Sequence, residues 1–235
     1  MVYAAIPSQQ LMTLVINIGE ITSDYIMHME DVLDQYEQPY DPKHPLICMD
    51  EMPCQLIDNV LVPIPPKPGK SQRVDYEYRR NGTCCVFIAF DPHAGWRTIS
   101  VKEHRTKIDY AHFMKGLAKK YPEAESFKVV QDNLNTHSAG SFYEAFPPED
   151  AFELARKFEF HFTPKKGSWL NMAEIEFSAL SRQCLNRRIG DIKTLAIEAG
   201  AWEQDRNKAK ATVRWRFTKA NAREKFCRHY LRIKN

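Results

Sequence analysis

The sequence predicts a three-layer α/β domain built on a mixed five-stranded sheet, with a helical extension at its C-terminal end. Three observations predict it. Short apolar runs bounded by turn residues fall at 46–50, 84–90, 96–101, 127–132 and 159–163. The second and third are joined only by Asp91-Pro92-His93-Ala94-Gly95, which makes them an antiparallel hairpin. From residue 108 onward, stretches of helical spacing alternate with the remaining strand runs, as they do where helices connect parallel strands.

Taken in order, residues 11–18 have strand composition but no obvious hairpin partner. Residues 25–36 carry Ile26, Met29, Leu33 and Tyr36 at helical spacing. Pro39, Pro42 and Pro45 then deliver the chain, extended, into Leu46-Ile47-Cys48-Met49-Asp50, a continuous apolar run of the kind buried on both faces of a sheet. Residues 52–82 hold Pro53, Pro63, Pro65, Pro66 and Pro68, too many for a central strand or a helix, so this stretch is expected to leave the core. Its Lys70, Arg73, Arg79 and Arg80, interleaved with Tyr76 and Tyr78, suit either a track along a nucleic-acid backbone or a plain surface loop. Residues 108–121 read as an amphipathic helix burying Ile108, Phe113 and Leu117. After the strand ending at Asp132, a helix over 138–146 is expected to start on Ser138 as its cap, Pro147-Pro148 ends it, and 149–158 forms another. Residues 189–235 read as helical, with breaks near 205–207 and at Thr218. The expected divisions are an atypical N-terminal segment (1–40), the α/β domain (41–188, with the basic insertion 52–82) and a basic helical extension (189–235). A hairpin followed by alternating helices and strands matches the ribonuclease-H-like arrangement.

Composition is that of a soluble globular protein, 43% hydrophobic and 27% charged. No apolar run approaches the ~20 residues that cross a bilayer. With no export signal either, a cytoplasmic protein is expected. Six cysteines without C-x-x-C spacing read as reduced, mostly buried thiols. Charge is unevenly spread: from Arg182 on there are 15 Lys and Arg against 5 Asp and Glu, which leaves the rest of the chain at −7. A basic end on an acidic body suits a polyanion on one side, or a solvated helical face.

The chemistry sits on carboxylates at strand ends. Asp50 directly continues the first apolar strand, and Asp132 ends the strand expected beside it; ligands of open α/β sheets bind at such carboxyl ends. Glu51 points to the opposite face from Asp50, so only one of the two faces a metal, and Asp50 is preferred. Asp91, before a Pro and a Gly-containing turn, is better read as a turn residue, and Asp132 has the alternative of capping the turn that follows it. A third acid comes from the helix opening near Asn171. Leu170, Ala173, Phe177, Leu180 and Cys184 define its buried face, and Glu174 and Glu176 fall on either side of it; periodicity does not choose between them. Hard oxygen ligands of this kind suit Mg²⁺.

Asp50-Glu51, the run Asp132-Asn133-Leu134-Asn135-Thr136-His137, and the run Ser168-Trp169-Leu170-Asn171-Met172-Ala173-Glu174 together resemble the insertion sequence 630 family of transposases, mariner-like DDE enzymes. Arg73 to Tyr78 and Ala201-Trp202-Glu203 extend the resemblance. In that family the third acid follows an asparagine by three residues, which implies Glu174 beside Asp50 and Asp132. The resemblance implies a nuclease and strand transferase dependent on Mg²⁺, with Mn²⁺ as a substitute, acting on DNA at element ends and then on target DNA, usually at TA. A homodimer in a bacterial, nucleoid-associated setting goes with it. Asn135, His137 and Asn171 are implied as supporting or DNA-contacting residues, and Lys165 and Lys166, with Arg73, as phosphate contacts. The interval from Asp132 to Glu174 is longer than usual for the mariner-like enzymes, and no helix-turn-helix precedes the domain. The expectation is therefore an N-terminally truncated catalytic domain, with an inactive remnant that only binds DNA or dimerises as the alternative.

Overall fold

The computed structural model describes residues 21–233; the strand-like run 11–18 lies outside them. Helix α1 (Ser23–Glu37) starts at Thr22, whose hydroxyl accepts a hydrogen bond from the Tyr25 amide at 3.2 Å, and it buries Tyr25, Met29, Val32 and Leu33. Five strands follow in one sheet of order β3-β2-β1-β4-β5: β1 (Leu46–Asn59), β2 (Tyr78–Asp91), β3 (Trp96–Lys102), β4 (Phe127–Gln131) and β5 (Phe158–Phe162). β1 pairs antiparallel with β2, as β2 does with β3; β1 pairs parallel with β4, as β4 does with β5. The sheet is the expected mixed, five-stranded one of a ribonuclease-H-like fold, half of its pairings antiparallel.

Alternation along β1 makes the three layers. Leu46 and Cys48 face one side with Val86, Ile88, Phe90 and Val130, under α1, α5 (Ala173–Gln183) and α6 (Ile192–Lys208). Ile47 and Met49 face the other with Phe87, Ala89, Phe127 and Val129, under α2 (Lys107–Lys120), α3 (Gly140–Ala145) and α4 (Pro148–Ala155). A period of two on a strand covered on both faces gives the unbroken apolar run seen in the sequence. The C-terminal helices α7 (Lys219–Lys225) and α8 (Cys227–Ile233) fold back towards α1, through Arg223 to Glu30 and Lys219 to Asp34.

β3 is an edge strand, and α6 covers it with side chains rather than with another strand. Asn207 Oδ1 accepts from the Arg97 amide at 2.8 Å, its Nδ2 donates to the Arg97 carbonyl at 2.8 Å, and Glu203 Oε2 accepts from the Ile99 amide at 2.8 Å. These satisfy main-chain groups that would otherwise be free to pair with another chain.

Several expectations are corrected. β1 does not stop at Asp50 but runs nine residues further, through Pro53, so the excursion between β1 and β2 covers 60–77 rather than 52–82. β4 pairs only with Leu46, Ile47 and Cys48, so beyond them one edge of β1 has no strand partner at Pro53, and a proline is tolerated there. Ile108 is 49% exposed, because α2 buries Tyr110, Ala111, Phe113, Met114 and Leu117 instead. Ser138 does not cap α3, which starts at Gly140 without a side-chain cap. The tail is helical in pieces: α6 passes through 205–207 without breaking, residues 209–217 are non-helical, and Thr218 caps α7.

Candidate active site

The register between β1 and β4 aligns Cys48 with Val130, and two further residues along each chain bring Asp50 and Asp132 side by side where that pairing ends. Asp50 shares the face of Leu46 and Cys48, towards α5. Asn171, buried just before α5, joins the helix to this point. Its Nδ2 donates to the Met49 carbonyl at 2.8 Å and reaches Asp50 Oδ2 at 3.5 Å, while its Oδ1 accepts from the Ala173 amide at 3.1 Å. Asn171 therefore serves the protein itself, and it fixes the first turn of α5 three residues before Glu174.

The two glutamates that periodicity left open have different surroundings. Glu176 is fully buried, its carboxylate held by Arg97 Nε at 2.9 Å and by Arg206 at 2.6 Å and 3.1 Å. Glu174 is exposed, has no ion pair among the described residues, and its carboxyl is raised above the usual range by partial desolvation and by the charge of Asp132. Asp50 is pushed up to about 7 by burial first, and then by the charges of Glu174, Asp132 and Glu51. Asp50 thus feels the charges of Glu174 and Asp132, Glu174 feels that of Asp132, and no Lys or Arg among the described residues pairs with any of the three.

Asp132 has a different neighbour, His137. Its Oδ1 lies 2.5 Å from His137 Nδ1, although the ring N–H is directed at the Asp132 main-chain oxygen at 3.2 Å, and Oδ1 is a buried oxygen without a hydrogen bond. Glu51, on the opposite face of β1, takes the other ring nitrogen at 2.7–2.8 Å. Burial works against protonation of His137, but its contacts with Asp132 and Glu51 outweigh it and hold the ring at about 9. Tyr110 stacks 5.0 Å from the ring, and its hydroxyl donates to Gln131, whose Nε2 donates to the His137 carbonyl. The sequence reading set Glu51 aside because it points away from the metal face; the signal that finds it is a second acid facing a histidine in the turn after β4.

A cleft of about 760 Å³ opens beside Asp132, between Tyr25 and His28 of α1 and the turn Pro164-Lys165-Lys166-Gly167. Lys165 and Lys166 are exposed on its wall, and Lys166 takes a left-handed backbone (φ 62°). A side chain on Gly167 would meet Pro164 at 2.5 Å, so the turn needs glycine there. Asn135 is exposed in the turn after β4. Arg73 is not brought to the cleft: it lies in the excursion, its main chain paired with Ile64. Asp91 accepts from the amides of His93 and Ala94 and from Tyr121, as a turn residue.

A family model of the DDE superfamily endonucleases matches residues 45–196. The chain belongs to that family. The matched span contains Asp50, Asp132 and Glu174 and ends inside α6, so this DDE endonuclease carries the segment 209–233 beyond the shared domain. Similar solved structures include the Mos1 mariner paired-end complex with Mn, at 13% identity and a TM-score of 0.53 over 96% of this chain and 70% of that one. The Mos1 transposase paired-end complex with the left transposon end aligns at 13% identity and 0.54 over 93% and 69%. The Mos1 strand transfer complex aligns at 10% identity and 0.53 over 97% and 70%. At these identities the likeness is one of fold. No curated protein sequence matches the chain.

Among the described residues no three His, Cys, Asp or Glu side chains are arranged around one point as a metal site. The donor set nevertheless fits a divalent cation. It offers three carboxylates that no Lys or Arg among the described residues pairs with, one of them, Asp50, pushed up to about 7 by burial and then by its acidic neighbours.

Proposed function

We propose that this DDE endonuclease is the catalytic domain of a transposase of the insertion sequence 630 type, cleaving DNA and transferring the freed strand. The observation that carries the reading is the trio of carboxylates within the family domain, none paired to Lys or Arg, with Asp132 lining a cleft walled by Lys165 and Lys166. Asp50, Asp132 and Glu174 would hold Mg²⁺, or Mn²⁺ in its place; the chemistry such ions would supply is activation of an attacking oxygen and stabilisation of a leaving one in phosphoryl transfer. Lys165 and Lys166 position the phosphate backbone. Asn171 holds the start of α5 against β1, and with it the place of Glu174. The run Asp132 to His137 and the Asn171–Glu174 spacing support the insertion sequence 630 type and, with it, a TA target.

The paired-end and strand transfer complexes of Mos1 support DNA as the substrate. In the homodimer that belongs to the same reading, a second copy would cover the excursion at 60–77. It exposes Leu61, Val62 (92%), Ile64 and Tyr76 (85%).

The test is cleavage of end-labelled DNA in Mg²⁺ by the wild-type chain and by Asp132→Ala. The reading expects the variant to lose cleavage by several orders of magnitude while still binding DNA. Equal cleavage by both sinks the catalytic assignment.

A further inference from the structure

Asp50 and Glu51 are adjacent, yet β1 sends them to opposite faces of the sheet, and only Asp50 reaches the side of α5. The side chain of Glu51 is fully buried on the other face, among Tyr110, Gln131 and His137, where an unpaired carboxylate would be costly. Its partner is His137, and the surroundings of that ring fix its place. Nε2 faces the Glu51 carboxylate at 2.7–2.8 Å, and Nδ1 faces the Asp132 carbonyl at 3.2 Å and carboxylate at 2.5 Å. Both ring nitrogens are thus in contact with oxygens of these two acids, and the ring bridges them.

We propose that Glu51 is a positioning residue that acts through His137 on Asp132. The chain Glu51–His137–Asp132 passes through the sheet layer at the end of β4 and braces the residue from behind, in the way that outer partners orient the ligands of metal sites. Two features tie the device to this place rather than to general stability. Gln131, the last residue of β4, is itself locked, accepting from Tyr110 and donating to the His137 carbonyl, so the turn 132–137 is closed at both ends. Asp132 Oδ1 lies 2.5 Å from His137 Nδ1, so the ring sets the direction of the side chain.

The proposal rests on Asp132 being a metal ligand, and the experiment separates the two claims. Mn²⁺ binding to the full chain is measured by the electron paramagnetic resonance signal of the free ion, in wild type, Glu51→Gln, His137→Gln, the double variant and Asp132→Ala, with a thermal melt for each. Glu51→Gln keeps the size and one acceptor, and is expected to melt as wild type but bind Mn²⁺ about tenfold more weakly. In the His137→Gln background the same change is expected to have no further effect, since the path through the ring is already cut. Wild-type affinity in Glu51→Gln, or losses that add in the double variant, overturns the proposal. Should Glu51→Gln melt early, Glu51→Asp keeps the charge and shortens the reach, and wild-type affinity in it overturns the proposal equally. If Asp132→Ala binds Mn²⁺ as wild type does, the ligand assignment itself falls; if it loses binding while Glu51→Gln does not, only the role of Glu51 falls.

Discussion

At the scale of single residues, the site is a set of acids sorted by what lies next to them. Asp50 has its carboxyl buried and facing other acids, so its folded-state pKa of about 7 stands above its unfolded value of about 3.9. A raised carboxyl binds more protons in the folded state than in the unfolded one between those two values, so its contribution to stability is present below pH 4 and is lost as pH rises through 7. In the absence of metal, Asp50→Asn is therefore expected to raise the melting temperature at pH 8, by a stabilisation on the order of 1–3 kcal/mol, and to change it little at pH 4. Melts at the two pH values check this; a variant less stable at pH 8 would show that Asp50 is not strained when ionised. Glu174 and Glu176 should separate in the opposite sense. Glu176→Ala strands the buried guanidinium of Arg97 and is expected to cost about 3–5 kcal/mol of stability. Glu174→Gln, at an exposed position, is expected to leave the melt within about 0.5 kcal/mol and to abolish cleavage. A folded, cleaving Glu174→Gln would remove Glu174 from the site.

At the scale of elements, what the sequence made legible depended on periodicity and failed where side chains replace periodicity. The strand runs and α1, α2, α5 and α6 were visible because each buries a face at its own period. The continuation of β1 past Asp50 was not, because its far half alternates buried and exposed positions around a proline whose tolerance depends on which edge is unpaired. The cap expected from Ser138 fails because the Ser138 carbonyl accepts from the Ser141 amide, leaving α3 to start two residues later. The same limit applies to the excursion at 60–77, whose base is set by one distant side chain. Arg188, far along the chain, donates to Asn59 Oδ1 and to the main-chain oxygens of Asp75, Tyr76 and Glu77, with its guanidinium 5.7 Å from the Tyr78 ring. Arg188→Ala is expected to leave global stability nearly unchanged but to speed hydrogen exchange of the amides at 75–80 by tenfold or so, through local opening. Unchanged exchange there would show that the hairpin holds its own base.

At the scale of the whole molecule, the uneven charge acquires a different meaning once its partners are seen. Four of the 15 basic residues from Arg182 on are paired with acids of the protein itself. Lys219 pairs with Asp34, Arg223 with Glu30, Arg187 with Glu198 and Arg206 with Glu176, so that α7 braces the acidic α1. The segment between α6 and α7 is different. Its side chains alternate, Val213, Trp215 and Phe217 packing on the core beside Tyr36 and Trp169 while Arg214 and Arg216 point out, without an ion pair among the described residues. Two exposed guanidinium groups on an extended chain, anchored by Trp215 and Phe217 on Trp169, are placed to meet a phosphate backbone. Removing them together is expected to flatten the plot of log affinity for duplex DNA against log salt by about 1.8, at about 0.9 for each phosphate no longer neutralised. Lys219→Ala with Arg223→Ala is the control of equal charge: exposed ion pairs of this kind stabilise only modestly, so this pair should lower the melting temperature slightly and leave the salt slope alone. Equal slopes in the two double variants would show that net charge, rather than the placement of Arg214 and Arg216, governs DNA binding.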